Sequence, residues 1–259
     1  MDSPPRLAVV IGGTSGIGLA IAGRLMEDGC DVVITGRNAE RGRDTAHSLS
    51  QANPGQSVQF HALDVRDAAH DGDWPTILDT RPIDTLVLSA AFGRQSWVTE
   101  TPPDVFLDML HVNVAAPLRL IQALRGHMAS PSSVVLISSD AGVEGEQNLG
   151  AYSVTKAAVN MLGRMMALDL ARDNIRVNVV CPGDTVPGMR YLLRPGESQR
   201  SEHDYLSWPL PPRGRLGQAR DTAELVAFLA SPRADFMTGT VTLVDGGSRA
   251  GRPDPSPHN

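Results

Sequence analysis

The sequence predicts a doubly wound α/β architecture, a parallel sheet of seven strands flanked by helices, on three observations. Short β-branched runs alternate with longer segments of helical periodicity, so strand follows helix along the whole chain. The runs are continuously apolar rather than alternating, as strands covered on both faces must be. The 259 residues, 41% hydrophobic and with 25 glycines, are enough to bury one large core.

The first strand is "RLAVVI" (6 to 11), followed by a glycine turn and a helix over 16 to 27. "DVVIT" (31 to 35) leads to a helix over 39 to 52, and "SVQFHA" (57 to 62) and "DTLVLS" (84 to 89) are the third and fourth strands. The periodicity then predicts one long helix over 103 to 129, the strand "SVVLIS" (133 to 138) and a helix over 152 to 171. "IRVNVV" (175 to 180), a helix over 221 to 230 and "GTVTLVD" (239 to 245) complete the pattern. With no repeat and no linker, residues 1 to 247 read as one domain. The proline-rich stretch from 182 to 215 reads as a substrate loop or lid, and 248 to 259 as a disordered tail.

Composition excludes several classes of function. A net charge of −6 offers a phosphate backbone or an anionic membrane surface no general attraction, so neither nucleic acid nor membrane is expected as a partner. No run approaches the roughly 18 apolar residues of a membrane span, and the N-terminus lacks the form of a secretion signal, which predicts a cytoplasmic protein. Cys30 and Cys181 are too few for a disulfide framework. Neither they nor the seven histidines show ligand spacing, so no metal is expected.

The turn "GGTSGIG" follows the first strand directly and opens the first helix, with the spacing Gly-x-x-x-Gly-x-Gly counted from Gly12. Without side chains, backbone amides approach a pyrophosphate at the helix N-terminus, where the peptide dipoles favour an anion. Gly13, Thr14, Ser15, Gly16, Ile17 and Gly18 are therefore the expected dinucleotide contacts. About 20 residues on, an acid usually accepts the ribose hydroxyls of NAD. Here Gly36 and Arg37 stand instead, and a guanidinium forks onto a 2′-phosphate that a carboxylate would repel, so NADP(H) is the expected cofactor and NAD(H) the alternative.

The chain has a single lysine, Lys156, against 22 arginines, and Tyr152 lies four residues before it on the same helical face. A phenol titrates near pH 10; an adjacent ammonium favours its anion and makes it a usable acid and base. The slim ammonium also suits the nicotinamide ribose hydroxyls better than a planar guanidinium. Ser138 and Ser139 end the fifth strand on the sheet edge where ligands bind, and either hydroxyl is a candidate to meet a carbonyl oxygen there. Asn113 lies inside a long helix, where an amide ordinarily bonds to backbone or water.

From Arg6 to about Gly247 these residues together resemble the short-chain dehydrogenase/reductase family, whose fold is of the Rossmann type. The resemblance implies that Ser139, 13 residues before Tyr152, is the catalytic serine, that Tyr152 and Lys156 are the acid/base pair, and that Asn113 holds a proton-relay water. It implies adenine contacts at Asp64 and Val65, further cofactor contacts at Ala90, Pro182, Gly183 and Thr185, and a homotetramer or dimer. Where the family has Asn-Asn-Ala-Gly after the fourth strand, this chain has "LSAA", Leu88 to Ala91; Pro187 replaces a usual threonine, leaving Thr185 to offer a hydroxyl. Enoyl reductases of the superfamily space tyrosine and lysine more widely. The expected activity is NADP(H)-dependent reduction of a ketone or aldehyde to an alcohol, or the reverse. An NAD-dependent alcohol dehydrogenase and a catalytically silent nucleotide-binding scaffold or sensor are the alternatives.

Overall fold

The computed structural model describes residues 5–67, 74–186 and 210–251. Seven strands, β1 (Leu7–Ile11), β2 (Asp31–Gly36), β3 (Val58–Ala62), β4 (Ile83–Leu88), β5 (Met128–Ile137), β6 (Ile175–Pro182) and β9 (Val241–Val244), form one sheet in the order β3-β2-β1-β4-β5-β6-β9. Every pairing is parallel. A further short pair, β7 (Thr185–Val186) with β8 (Gly217–Gln218), stands beyond the end of β6. The helices are α1 (Gly16–Glu27), α2 (Ala39–Ala52), α3 (Ile77–Thr80), α4 (Pro103–Leu110), α5 (Ala116–Leu124), α6 (Gly150–Leu170) and α7 (Ala219–Ala230).

The central strands are apolar where both faces are covered because alternate residues enter different cores. Val9, Ile11, Leu86, Leu88 and Leu136 meet Leu120 and Leu124 of α5 and Val159 and Met166 of α6. Ala8, Val10, Ile34, Val87 and Val135 meet Ile21 and Leu25 of α1 and Val226 and Leu229 of α7. Each such side chain removed from water contributes about 1.5–3 kcal/mol, so both faces need their cover. Successive strands are added outward from β1 to β3 on one side and from β4 to β9 on the other, and the crevice at that switch point between β1 and β4 is where such sheets bind ligands.

The expected helix over 103 to 129 runs without interruption from Pro103 to His127, as α4, a π-helical turn at His111–Ala115, α5 and a closing 3-10 turn, and β5 begins at Met128 rather than at 133. Pro117 sits in the first turn of α5 and has no N–H to offer the carbonyl four residues back, which belongs to Asn113. The ladder therefore widens at that point.

Across the helices of one face runs an ionic lattice. Arg24 of α1 donates to Glu224 of α7 at 2.8 Å, and Arg220 of α7 grips both oxygens of Glu27 of α1 at 2.7 and 2.6 Å. At the other end of the chain, the segment expected to be a tail is described as far as Gly251, turning on the Asp245 carboxylate, which accepts from the Gly247 and Arg249 amides. Of the expected lid, residues 187–209 lie outside the described residues, as do 252–259 of the tail.

Candidate active site

A cavity of about 660 Å³ opens along the carboxyl ends of β1, β4, β5 and β6. Its floor at one end is the glycine turn into α1. A Cβ on Gly18 would stand 2.1 Å from the Gly12 carbonyl oxygen, so no other residue permits this approach, and Gly16 adopts a φ of +54°. Thr14, Ser15, Gly16, Ile17 and Gly18 all line the cavity. Gly13 does not: it faces β2, where its Cβ would meet Ile34 at 2.8 Å, and Gly12 lines the cavity instead. The wall beside α1 carries Arg37, Asn38 and Arg41, with Asn38 capping α2 through a 2.9 Å bond from the Arg41 amide. A glycine-rich turn at a helix N-terminus, with guanidiniums at its rim, fits a phosphorylated dinucleotide.

Further along, Val65 and Ala90 line the cavity, whereas the Asp64 carboxylate accepts from the Arg66 amide at 3.0 Å and is not on the wall. Arg66 takes part in its place, held bidentate by Asp108 at 3.0 Å with its guanidinium 5.3 Å from the Phe92 ring. The "LSAA" segment brings Ala90 against the turn, so that a Cβ on Gly12 would meet the Ala90 amide at 2.8 Å. Pro182, Gly183, Asp184 and Thr185 form the opposite wall, with the Thr185 hydroxyl donating to the Gly183 carbonyl at 2.9 Å.

At the far end the loop after β5 is clamped onto α6. The Ser138 hydroxyl donates to the Lys156 carbonyl at 3.0 Å, and Asn160 donates to the Gly142 carbonyl at 2.9 Å. That leaves Ser138 tied to the helix backbone and turns its neighbour Ser139 to the Tyr152 hydroxyl, with which it hydrogen-bonds. Tyr152 and Lys156 are 4% and 2% exposed. The lysine ammonium donates to the Ile137 carbonyl at 3.0 Å and lies 5.5 Å from the centre of the Tyr152 ring.

Burial pushes the Tyr152 phenol well above its ordinary value, against the pull of Ser139, and the nearby Asp140 and Glu146 push the same way. Burial also lowers Lys156 to about 8. The resting phenol therefore holds its proton. Asn113 stands in the π-helical turn behind the cavity wall. Its amide donates to the Phe92 carbonyl at 2.8 Å and to the Thr155 hydroxyl at 2.9 Å, and accepts from the Phe92 amide at 2.8 Å. It joins the segment after β4 to α6, one residue from Lys156.

Among residues on the loops that follow β4 and β5, Phe92 lines the cavity, and Arg94, Trp97, Glu144 and Gln147 are not among its lining residues. Tyr191, Tyr205 and Trp208 lie outside the described residues. Sequence reasoning passed over Arg66, Asp140 and Glu146; the first two sit directly beside residues it had singled out, Val65 and Ser139.

A phosphate-sized turn at one end of a crevice and a phenol, an ammonium and a serine hydroxyl at the other define a nucleotide-dependent oxidoreductase. The family model described as "Enoyl-(Acyl carrier protein) reductase" matches residues 12–249. An NADP-dependent (R)-specific alcohol dehydrogenase of Lentilactobacillus kefiri is 33% identical over 95% of this chain and 97% of its own length. A dehydrogenase/reductase from Sinorhizobium meliloti 1021 superposes with a TM-score of 0.83 at 30% identity, covering 96% of each chain. A blue fluorescent protein from a metagenomic library, solved with NADPH, gives 0.81 at 29% identity, covering 94% of this chain and 98% of that one. The chain belongs to the short-chain dehydrogenase/reductase family, and it is an oxidoreductase of that family. Among the described residues no helix is long and apolar enough to cross a membrane.

Proposed function

We propose that this protein uses NADP(H) to reduce a ketone or aldehyde to an alcohol, or to run the reverse reaction. The observation that carries the reading is the convergence of Ser139, Tyr152 and Lys156 on one end of a cavity whose other end carries the glycine turn and Arg37. The nucleotide, when bound, supplies or takes up the hydride at the carbonyl carbon. The protein's own groups manage the oxygen. Ser139 donates to that oxygen and orients it, and Tyr152 gives it a proton, which leaves a phenolate.

Lys156 stabilises that phenolate from the same helical face and binds the nicotinamide ribose, and Asn113 holds the backbone through which a water returns the proton. The resting protonation of Tyr152 suits it to donate. Arg37, with Arg41 beside it, receives the 2′-phosphate, while Val65 and Ala90 cover the adenine side. A homo-oligomer, tetramer or dimer, is part of the same reading.

Fluorescence titration of the purified protein with NADPH and with NADH tests it. A preference for NADPH of tenfold or more, about 1.4 kcal/mol, followed by ketone-dependent loss of absorbance from NADPH, is the expected result. Tight binding of NADH alone overturns the role of Arg37, and tight nucleotide binding with no hydride exchange to any carbonyl overturns the catalytic reading.

A further inference from the structure

The turn after β9 sends one side chain back toward the reacting groups. Arg249 donates from Nε to Asp140 Oδ2 at 3.1 Å and from Nη2 to Glu146 Oε2 at 2.8 Å, and Glu144 stands 3.5 Å from Nη1. Its backbone amide is fixed on Asp245 Oδ2 at 2.8 Å. The Arg249 and Asp140 side chains are 18% and 11% exposed, so solvent screens this pair far less than a surface pair. The other oxygen of Asp140, Oδ1, accepts from the Ala141 amide at 2.8 Å and from the Ser139 hydroxyl at 3.2 Å. A serine has one proton to give. With that proton on Asp140, Ser139 must turn it away from the carboxylate before it can donate to Tyr152 or to a substrate oxygen, so the placing of Asp140 governs that exchange.

We propose that Arg249 is a positioning residue for the Ser139 and Tyr152 pair: holding Asp140 and Glu146, it fixes the Ser139 hydroxyl and sets the pH range in which Tyr152 exchanges its proton. The inference rests on the oxidoreductase reading above.

The charges around the phenol give the sign. Asp140 and Glu146, on the loop after β5, both oppose a phenolate. Lys156 of α6 lies beside the ring and Cys181 closes the end of β6. Asp184, just beyond β6, feels the same two carboxylates and the same arginine. Burial and Asp140 push the Glu146 carboxyl up, and Arg249 pulls it back. Without the guanidinium two carboxylates stand uncompensated beside Tyr152, and its anion becomes harder to form.

Three variants test this. For alcohol oxidation, which needs the phenolate, Arg249→Gln should move the rising limb of the kcat/KM profile to higher pH by about half to one pH unit. Arg249→Lys, which keeps the charge, should restore most of the shift, and Asp140→Asn should move the limb to lower pH. The second readout needs no turnover. The chain has three tyrosines, so Tyr191→Phe with Tyr205→Phe leaves Tyr152 as the sole ¹³Cζ-tyrosine resonance. Tyr152 keeps its proton at neutral pH in both proteins, so the resonance there reports its hydrogen bond to Ser139: Arg249→Gln should shift it, and Arg233→Gln, whose guanidinium lies over Phe228, should leave it in place.

An unmoved resonance in Arg249→Gln overturns the inference, as does a uniform fall in turnover with the profile in place, the mark of a merely loosened turn. If the wild type turns over no carbonyl or alcohol, the oxidoreductase reading fails separately and the resonance alone decides this one.

Discussion

Replacing Lys156 by methionine should make the protein more stable and inactive at once. The lysine is 2% exposed, and burial brings it from 10.5 to about 8. A base whose folded value lies below its unfolded value costs stability wherever the unfolded chain is protonated. The penalty is complete below about pH 8 and vanishes as the pH rises past about 10.5. Its size at pH 7 is about 3 kcal/mol. Methionine keeps the length of the side chain but loses the bond to the Ile137 carbonyl, which gives back about 1 kcal/mol. A net gain of about 2 kcal/mol at pH 7 should therefore appear in urea unfolding of the nucleotide-free protein, and shrink toward zero by about pH 9.5. Turnover should be lost in the same variant, so that stability and catalysis part at one site. A methionine variant less stable than the wild type at pH 7, or a difference that does not change with pH, refutes the reasoning.

Four further substitutions separate neighbouring roles. Ser139→Ala should lower kcat by about 10²-fold or more, since it removes the donor to the reacting oxygen; Ser138→Ala should instead cost about 1 kcal/mol in thermal or urea unfolding with turnover within a few-fold of wild type. Gly18→Ala should abolish NADPH binding in a fluorescence titration, because its methyl group has no room beside the Gly12 carbonyl; retained micromolar binding would show that the turn is not the phosphate seat. Arg37→Ala should weaken NADPH by about 1.5–3 kcal/mol, the range for a charged hydrogen bond, and leave NADH within about twofold when the two are titrated side by side.

The sheet was legible because each central strand must be apolar on both faces, a demand that shows directly in "LAVVI" and "SVVLI". The nearness of Tyr152 and Lys156 was legible because the two lie within about one helical turn. What escaped lies across the chain. Asp140 and Arg249 are 109 residues apart, and only the return of the last strand beside β6 brings them together. The resemblance favoured Ser139 over Ser138, but the physical reason was hidden: consecutive residues leave a strand on opposite sides, and which side faces α6 depends on packing no local pattern records. The π turn was different: the apolar periodicity read the helix through Pro117 correctly, and the widening that this proline imposes on the ladder leaves no mark in that periodicity.

The lattice between α1 and α7 bears on accuracy more than on strength. Its carboxylates and guanidiniums are close to half exposed for Glu27, Arg220 and Glu224, and such pairs are each worth about 0–1 kcal/mol. Apolar helix faces tolerate sliding past each other, but these charges do not. Moving α1 by one turn, about 5.4 Å, along α7 would bring Arg24 from Glu224 to Arg220 and set like charge against like. The lattice thus acts as a vernier. It rejects the misaligned dockings of the helix whose first turn carries Gly16 and Gly18, and so keeps the glycine turn in step with Tyr152 and Lys156 at the far end of the cavity.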